Sequence, residues 1–305
     1  MQKKIIYLTR VGLNWLKILF TPLAFAYLGY YILASKDVLG QIFSEAQSSY
    51  FAASILLFLV LHILSPLATT IAFRATDNNI SYSQAFYIYA RRLPAKYLPG
   101  GIWHTASRAS DYHKIGIPLR SITIYILFEI FMVASITLLL GGLVVSQLSY
   151  LQSGWSMIAV LSVPISISTI VIFPYITKQL FFKNSLVYRL HDHLLSTVII
   201  ALQWFFVGLS FAAFLNAFSG IEFLNSTLEM AGIYIFSWGI GFIAIFAPQG
   251  LGVSEYVGTE LFLSDLRVDN LVAILASYRL IVLVADLTLL TTTIPIKMRR
   301  KFVAN

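Results

Sequence analysis

Ala247-Pro248-Gln249-Gly250-Leu251-Gly252-Val253-Ser254-Glu255 sets a helix breaker directly between two apolar segments. Pro248 removes a backbone donor, and Gly250 and Gly252 allow conformations that other residues resist. A helix arriving through 233–246 is therefore expected to stop here, and a new one to start near Gly252. Unravelled backbone at membrane depth is tolerated only where it is buried in protein or faces a watery cavity, because lipid cannot satisfy its N–H and C=O groups. The break therefore points to a site.

Composition places that site in a membrane. Of 305 residues, 58% are hydrophobic and 11% charged, and the mean hydropathy is +0.81, which excludes an ordinary soluble domain and disorder alike. No polar block is long enough to form a soluble module, so the expected organisation is one transmembrane domain over 1–305, with halves at about 1–150 and 151–305. The lack of cysteine removes disulfides, thiol chemistry and cysteine-ligated metals. The net charge of +8 comes from short basic clusters between apolar segments, the positive-inside pattern rather than a nucleic-acid patch. The basic start at Lys3 and Lys4 leads into an apolar run too long for a signal peptide, which reads as a retained first span.

Apolar segments able to cross roughly 30 Å of hydrocarbon lie at 15–34, 51–73, 119–145, 155–176, 195–218, 228–247 and 270–294. Lys3, Lys4, Arg10 and Lys17, then Arg74, Arg91, Arg92, Lys96, Arg108, Lys114 and Arg120, then Lys178, Lys183 and Arg189 all fall on one side if the spans alternate. That side is cytoplasmic. The basic tail from Lys297 to Lys301 belongs there too, which requires one more crossing. The segment 252–265 supplies it, although at 1.5 Å per residue it reaches only about 20 Å and must borrow depth from the unwound break. The fold expected is all-α and polytopic, with about eight crossings and both termini cytoplasmic.

A second break, Pro99-Gly100-Gly101, interrupts the long connection 83–118, which reads as a re-entrant or surface hairpin. It leads to Arg108 and then to Glu129, about ten residues into its span; Pro248, Gly250 and Gly252 lead to Glu255 and then to Arg279, at a similar depth. Paired interruptions with exchanged charges are the sequence pointer to a transporter site and to an inverted repeat. Because a lone charge at depth costs about 3 kcal/mol on insertion scales, Arg108 is expected to meet Glu129 and Arg279 to meet Glu255, with Asp286 a rival partner for Arg279. Structural ion pairs holding helices together remain an open reading of the same charges.

Pro99-Gly100-Gly101 with Arg108 and Glu129, and Pro248-Gln249-Gly250-Leu251-Gly252-Val253-Ser254-Glu255 with Arg279, resemble the transmembrane flippase-like domain of lysylphosphatidylglycerol synthases and related prokaryotic membrane proteins. The family usually has Pro-x-Gly-Gly-x-Gly at the second break, and Gln249 departs from that glycine-rich pattern. The resemblance implies a multi-span domain that translocates or handles anionic lipids or lipid-linked sugars in the cytoplasmic membrane. No stretch corresponds to the aminoacyl-transferring soluble domain, so that activity is not carried over.

His104 and Arg108 share a helical face and could present two donors to a phosphate, or a solvated surface. His191-Asp192-His193 suggests a metal, but residues two apart diverge on a helix and no third ligand is near. No His-Glu-x-x-His, Gly-x-Ser-x-Gly or Walker pattern occurs, and no cofactor or metal is expected. The expected function is a flippase or transporter that binds an anionic headgroup through Arg108 and Arg279, with Glu129 and Glu255 as counter-charges. The two breaks would face one another across a shared, positively biased cavity. The rivals are a scaffold for envelope lipid or polysaccharide assembly, partnered by other assembly proteins or a second copy, and an intramembrane transferase with His104 as base.

Overall fold

The computed structural model describes residues 43–97, 103–182, 188–218, 223–244, 247–264 and 266–303, with single positions at 30, 33, 36 and 40, and backbone alone beyond 291. The expected first span, 15–34, lies almost wholly outside the described residues, and Pro99, Gly100 and Gly101 lie entirely outside them.

Nine helices follow one another among the described residues from Ser48 onward: α1 (Ser48–Arg74), α2 (Tyr82–Arg92), α3 (Trp103–Lys114), α4 (Leu119–Val145), α5 (Ser153–Thr177), α6 (Leu190–Asn216), α7 (Thr227–Ile243), α8 (Val253–Leu261) and α9 (Val268–Val303). A 3-10 turn, Leu93–Tyr97, continues α2, and a π turn, Lys178–Phe182, continues α5. Five of these are long and apolar enough to cross a membrane, namely α1, α4, α5 with its π turn, α6 and α9 as far as Thr291. The expectation of a full span at 228–247 is corrected. Helix α7 stops at Ile243 after 17 residues, about 26 Å, and α8 has 9 residues, about 14 Å, so neither alone reaches across the hydrocarbon.

Helices α1 and α6 form the antiparallel frame. Lipid offers no hydrophobic drive between apolar helices, so small and polar residues set the contact. Ser54 and Ser210 each donate to the other's carbonyl at 2.7 Å, and Ser196 donates to Ala68 O at 2.8 Å. At one end Gln47 N–H donates to Ala217 O at 2.8 Å. At the other, Arg189 N–H donates to Ala75 O at 3.0 Å and Arg74 holds Asp192 at 2.9 Å. Against this frame α7 lies so close to α4 that a β-carbon on Gly141 would sit 2.5 Å from Phe236 N, which only glycine permits.

Two hairpins leave opposite ends of the frame. The first follows the end of α1: α2 and its 3-10 turn run about 26 Å inward, and α3 returns, so that Asn78 before the hairpin donates to Ser121 after it at 2.8 Å. The second follows the end of α6: α7 runs inward and α8 returns, so that Phe223 before it bridges Ser264 after it. Both inward arms start on a capping box, Ser81 with Gln84 and Ser226 with Glu229, in which serine accepts from the third helical N–H and the longer side chain accepts from the serine N–H.

This layout puts the link after α1 and the link before α9 on opposite faces of the molecule. Single cysteines at Asp77 and Arg267, both exposed and in a chain with no cysteine of its own, are expected to react from opposite sides of a sealed membrane. Impermeant maleimide labelling of intact and permeabilised vesicles checks this.

Candidate functional site

At the second break the chain folds back on itself. Gln249, Gly250 and Gly252 all take left-handed backbone angles, with φ of 56°, 67° and 78°. The turn is so tight that a β-carbon on Gly241 would lie 3.0 Å from the Gly250 Cα. Gln249 pays the strain of a non-glycine residue in this region, about 1–2 kcal/mol, and its side chain makes the contact that matters. Gln249 Nε2 donates to Lys96 O at 3.1 Å. Lys96 closes the inward arm of the first hairpin, two residues before the undescribed Leu98. The tips of the two hairpins thus touch.

Around this contact the buried charges are paired. Arg108 on α3 is 4% exposed and grips Glu129 on α4 with both ends of its guanidinium, through Nη1 to Oε1 at 2.9 Å and Nη2 to Oε2. Tyr125, one turn before Glu129, accepts from Arg108 at 3.1 Å, donates to Glu129 at 3.1 Å and meets Thr69 of α1 at 3.0 Å. Such a forked pair is the strong geometry for carboxylate or phosphate.

Beside the second hairpin a like pair has the roles exchanged, with the carboxylate on the return arm. Glu255 on α8 is 4% exposed, and Arg279 on α9 donates to its Oε1 from Nε at 2.8 Å and lies 2.6 Å away through Nη2. Oε2 of Glu255 accepts from Gly252 N–H at 2.7 Å and from Ser254 at 3.1 Å, so the same carboxylate caps the helix that follows the break. Glu129 and Arg279 keep about a third of their side chains exposed, at 30% and 32%.

Asp286 does not compete for Arg279. It is 1% exposed and lies against Lys96 Nζ at 2.5 Å, the Tyr97 hydroxyl, and His62 Nε2 of α1 at 3.2 Å. His62, also 1% exposed, meets the Tyr89 hydroxyl of α2 through Nδ1 at 2.9 Å. This third cluster was missed from the sequence. Its signal was available in His62, an ionisable residue in the middle of an apolar span.

Three cations, Arg108, Arg279 and Lys96, therefore face three carboxylates, Glu129, Glu255 and Asp286. The expected positive bias is corrected to a balance among the described charges. Two small cavities adjoin these pairs among the described residues. Beside Glu129, between Ser65, Thr69, Tyr125 and Gln203, the space is about 30 Å³, and beside Glu255, between Ser237, Ser254 and Tyr234, it is about 20 Å³. Each holds a water or two, not a headgroup.

His104 packs on Tyr89 at 6.2 Å between ring centres. Burial first, then the charges of Arg108 and Lys96, push its imidazole down to about 2, which disfavours a charged ring there. His193 uses both ring nitrogens on protein, Tyr188 OH at 3.1 Å and Ile170 O at 3.2 Å, while Asp192 pairs with Arg74.

The first hairpin is also tied at its base, where Arg91 and Arg92 converge on Asp111 of α3 at 2.7 and 2.6 Å. Burial alone would raise the Asp111 carboxyl, but the hydrogen bonds from Arg92 and Arg91 outweigh it and hold the carboxyl below its ordinary range. Compared with protein-family models the chain matches none, and no curated protein matches it.

Two outcomes follow. A carboxyl lowered on folding contributes stability that is present above the unfolded value of about 4 and lost as pH falls through the folded value. Asp111→Asn is accordingly expected to cost about 1–3 kcal/mol at neutral pH and to flatten the acid limb of thermal unfolding in detergent. Glu255→Ala and Arg279→Ala should each destabilise by about 3–5 kcal/mol, with the double variant well short of the sum and the exchanged pair partly rescued. Additive losses would rule out the coupling.

Proposed function

We propose that this chain is a prokaryotic cytoplasmic-membrane transporter, or flippase, for a lipid or lipid-linked sugar with an anionic headgroup. The observation that carries the reading is the meeting of two hairpins, from opposite ends of the α1–α6 frame, beside buried arginine–carboxylate pairs. Transporters place substrate sites where interrupted helices of two related halves converge. On this reading the halves form an inverted repeat of re-entrant hairpins, the second hairpin takes the place of the two crossings expected of 228–247 and 252–265, and the resemblance to flippase-like domains adds weight. Arg108 and Arg279 bind the headgroup phosphate or carboxylate once the tips part, and Glu129 and Glu255 hold them in its absence. The arrangement described is then the closed state, since the two cavities beside the pairs admit only water.

The balance of charges and the small cavities favour one other reading, a non-transporting scaffold whose ion pairs join helices. Vesicle reconstitution separates the two. With headgroup-labelled phosphatidylglycerol and an impermeant quencher, the protein is expected to move lipid between leaflets. The neutral double variant Glu255→Gln/Arg279→Gln, which keeps a polar pair in place of the ion pair, should lose that movement while keeping its unfolding temperature. Failure of the folded parent protein to move any anionic lipid would favour the scaffold.

A further inference from the structure

The third charge cluster has no part in holding a headgroup, yet it lies where the hairpin tips meet. Asp286 and His62 are each 1% exposed, and they approach to 3.2 Å without the alignment of a hydrogen bond, so His62 Nε2 and Asp286 Oδ1 are both buried with no hydrogen-bond partner among the described residues. A buried polar atom left in that condition costs about 1–3 kcal/mol, more when charged, and is retained only where something uses it. The other carboxylate oxygen is fully engaged, by Lys96 Nζ and by the Tyr97 hydroxyl. Lys96 and Tyr97 are the last described residues of the first hairpin's inward arm, and the Lys96 carbonyl receives Gln249 from the second. One carboxylate therefore faces an unsatisfied proton donor on one side and the clasp between the hairpins on the other.

We propose that the Asp286–His62 pair is a proton-binding site, and that loading it releases the tip of the first hairpin from the tip of the second. The inference deepens the transport reading and rests on it for the step that moves lipid; the proton site itself stands on the geometry. Tyr89 supplies the relay. In the neutral tautomer that suits both contacts, the Tyr89 O–H donates to His62 Nδ1 and the Nε2–H faces Asp286 Oδ1. A proton reaching the Tyr89 oxygen lets that hydroxyl pass its own proton to Nδ1, while the ring turns into line with Asp286 and the Nε2 proton moves to Oδ1. One O–H bond forms on Asp286, the imidazole ends neutral in its other tautomer, Tyr89 is restored, and no electrons are exchanged.

The consequence falls on Lys96. Its ammonium keeps its proton but loses the carboxylate charge that compensates its burial, and burial already pulls it below the ordinary lysine range. An uncompensated ammonium turns to water, and the tip carrying it leaves Gln249. The remaining charges that face this point oppose a return while the acid is loaded. Arg279 lies on α9 two turns from Asp286 with Glu255 of α8 as its partner, and Arg108 of α3, partnered by Glu129 of α4, acts with Lys96 on His104. Loss of the proton restores the ion pair and the clasp. A proton gradient would thus drive the opening that a headgroup needs.

Spin labels on Pro94→Cys in the 3-10 turn and Tyr256→Cys on α8, both exposed positions, report the separation of the tips by pulsed electron paramagnetic resonance in vesicles. Between about pH 8 and about pH 5 the distance distribution should shift to longer values, and Asp286→Asn should show the acid distribution at both. A parent distribution indifferent to pH, or an Asp286→Asn protein that still responds, overturns the proposal. Lys96→Met is the second arm if Asp286→Asn does not fold: its tips should stay apart at both pH values, and a retained response overturns the clasp. Lipid movement in the same vesicles separates the two readings. A pH-dependent tip without lipid movement sinks transport and supports the proton site, whereas movement indifferent both to a pH gradient and to Asp286→Asn overturns the coupling.

Discussion

Charge that lipid cannot solvate must be answered inside the protein, and the six charges where the hairpins converge obey that constraint one for one. Arg108 with Glu129, Arg279 with Glu255 and Lys96 with Asp286 join five helices and a 3-10 turn, α3 to α4, α8 to α9, and the turn after α2 to α9 and, through His62, to α1. The same constraint explains the breaks. The backbone freed at 247–252 is taken up by Glu255, Ser254 and the close return of Gly250 onto Gly241, none of which involves lipid.

Helix ends and buried charges were legible in the sequence for the same reason: each is a local departure from a long apolar run. Pro248, Gly250 and Gly252 mark the turn, and Arg108, Glu129, Glu255 and Arg279 are isolated enough at depth that each has few candidates to pair with. Asp286 shows where this logic stops. Seven residues from Arg279, it shares a face with it, but seven residues are about 10 Å of helix, farther than a salt bridge reaches. Its actual partners come from α1 and from the turn after α2, brought together by tertiary packing that no local spacing records. Lys96 was readable only as one more positive-inside charge, and the length of α7 was overread because hydropathy continues through Ala247 after the helix has ended at Ile243.

Sequence also held a signal for the likeness of the hairpins that composition hides. Ser81 with Gln84 and Ser226 with Glu229 start the two inward arms with the same cap, and each described arm covers about 26 Å. The shorter return arms, α3 and α8, each carry the charge that meets the following span, a cation in the first and a carboxylate in the second. The two hairpins are thus alike in cap and arm length and opposite in the charge they carry, and the charges beside their contact balance among the described residues.

That combination is a poor design for glue and a good one for a joint. A buried ion pair returns little net stability after desolvation, and apolar side chains of the same size would hold two hairpins together at least as well. Apolar contacts, however, have no second partner to go to when they open. Arg279 and Glu129 already reach out of the interior with about a third of each side chain, at 32% and 30% exposed, so a change of partner from carboxylate to water or phosphate needs no rebuilding of the helices that carry them. Opening then costs the difference between two sets of polar interactions rather than the whole of one. A contact built that way can open at low cost, and this is the physical reason for our proposal that the meeting point of the hairpins is a moving part.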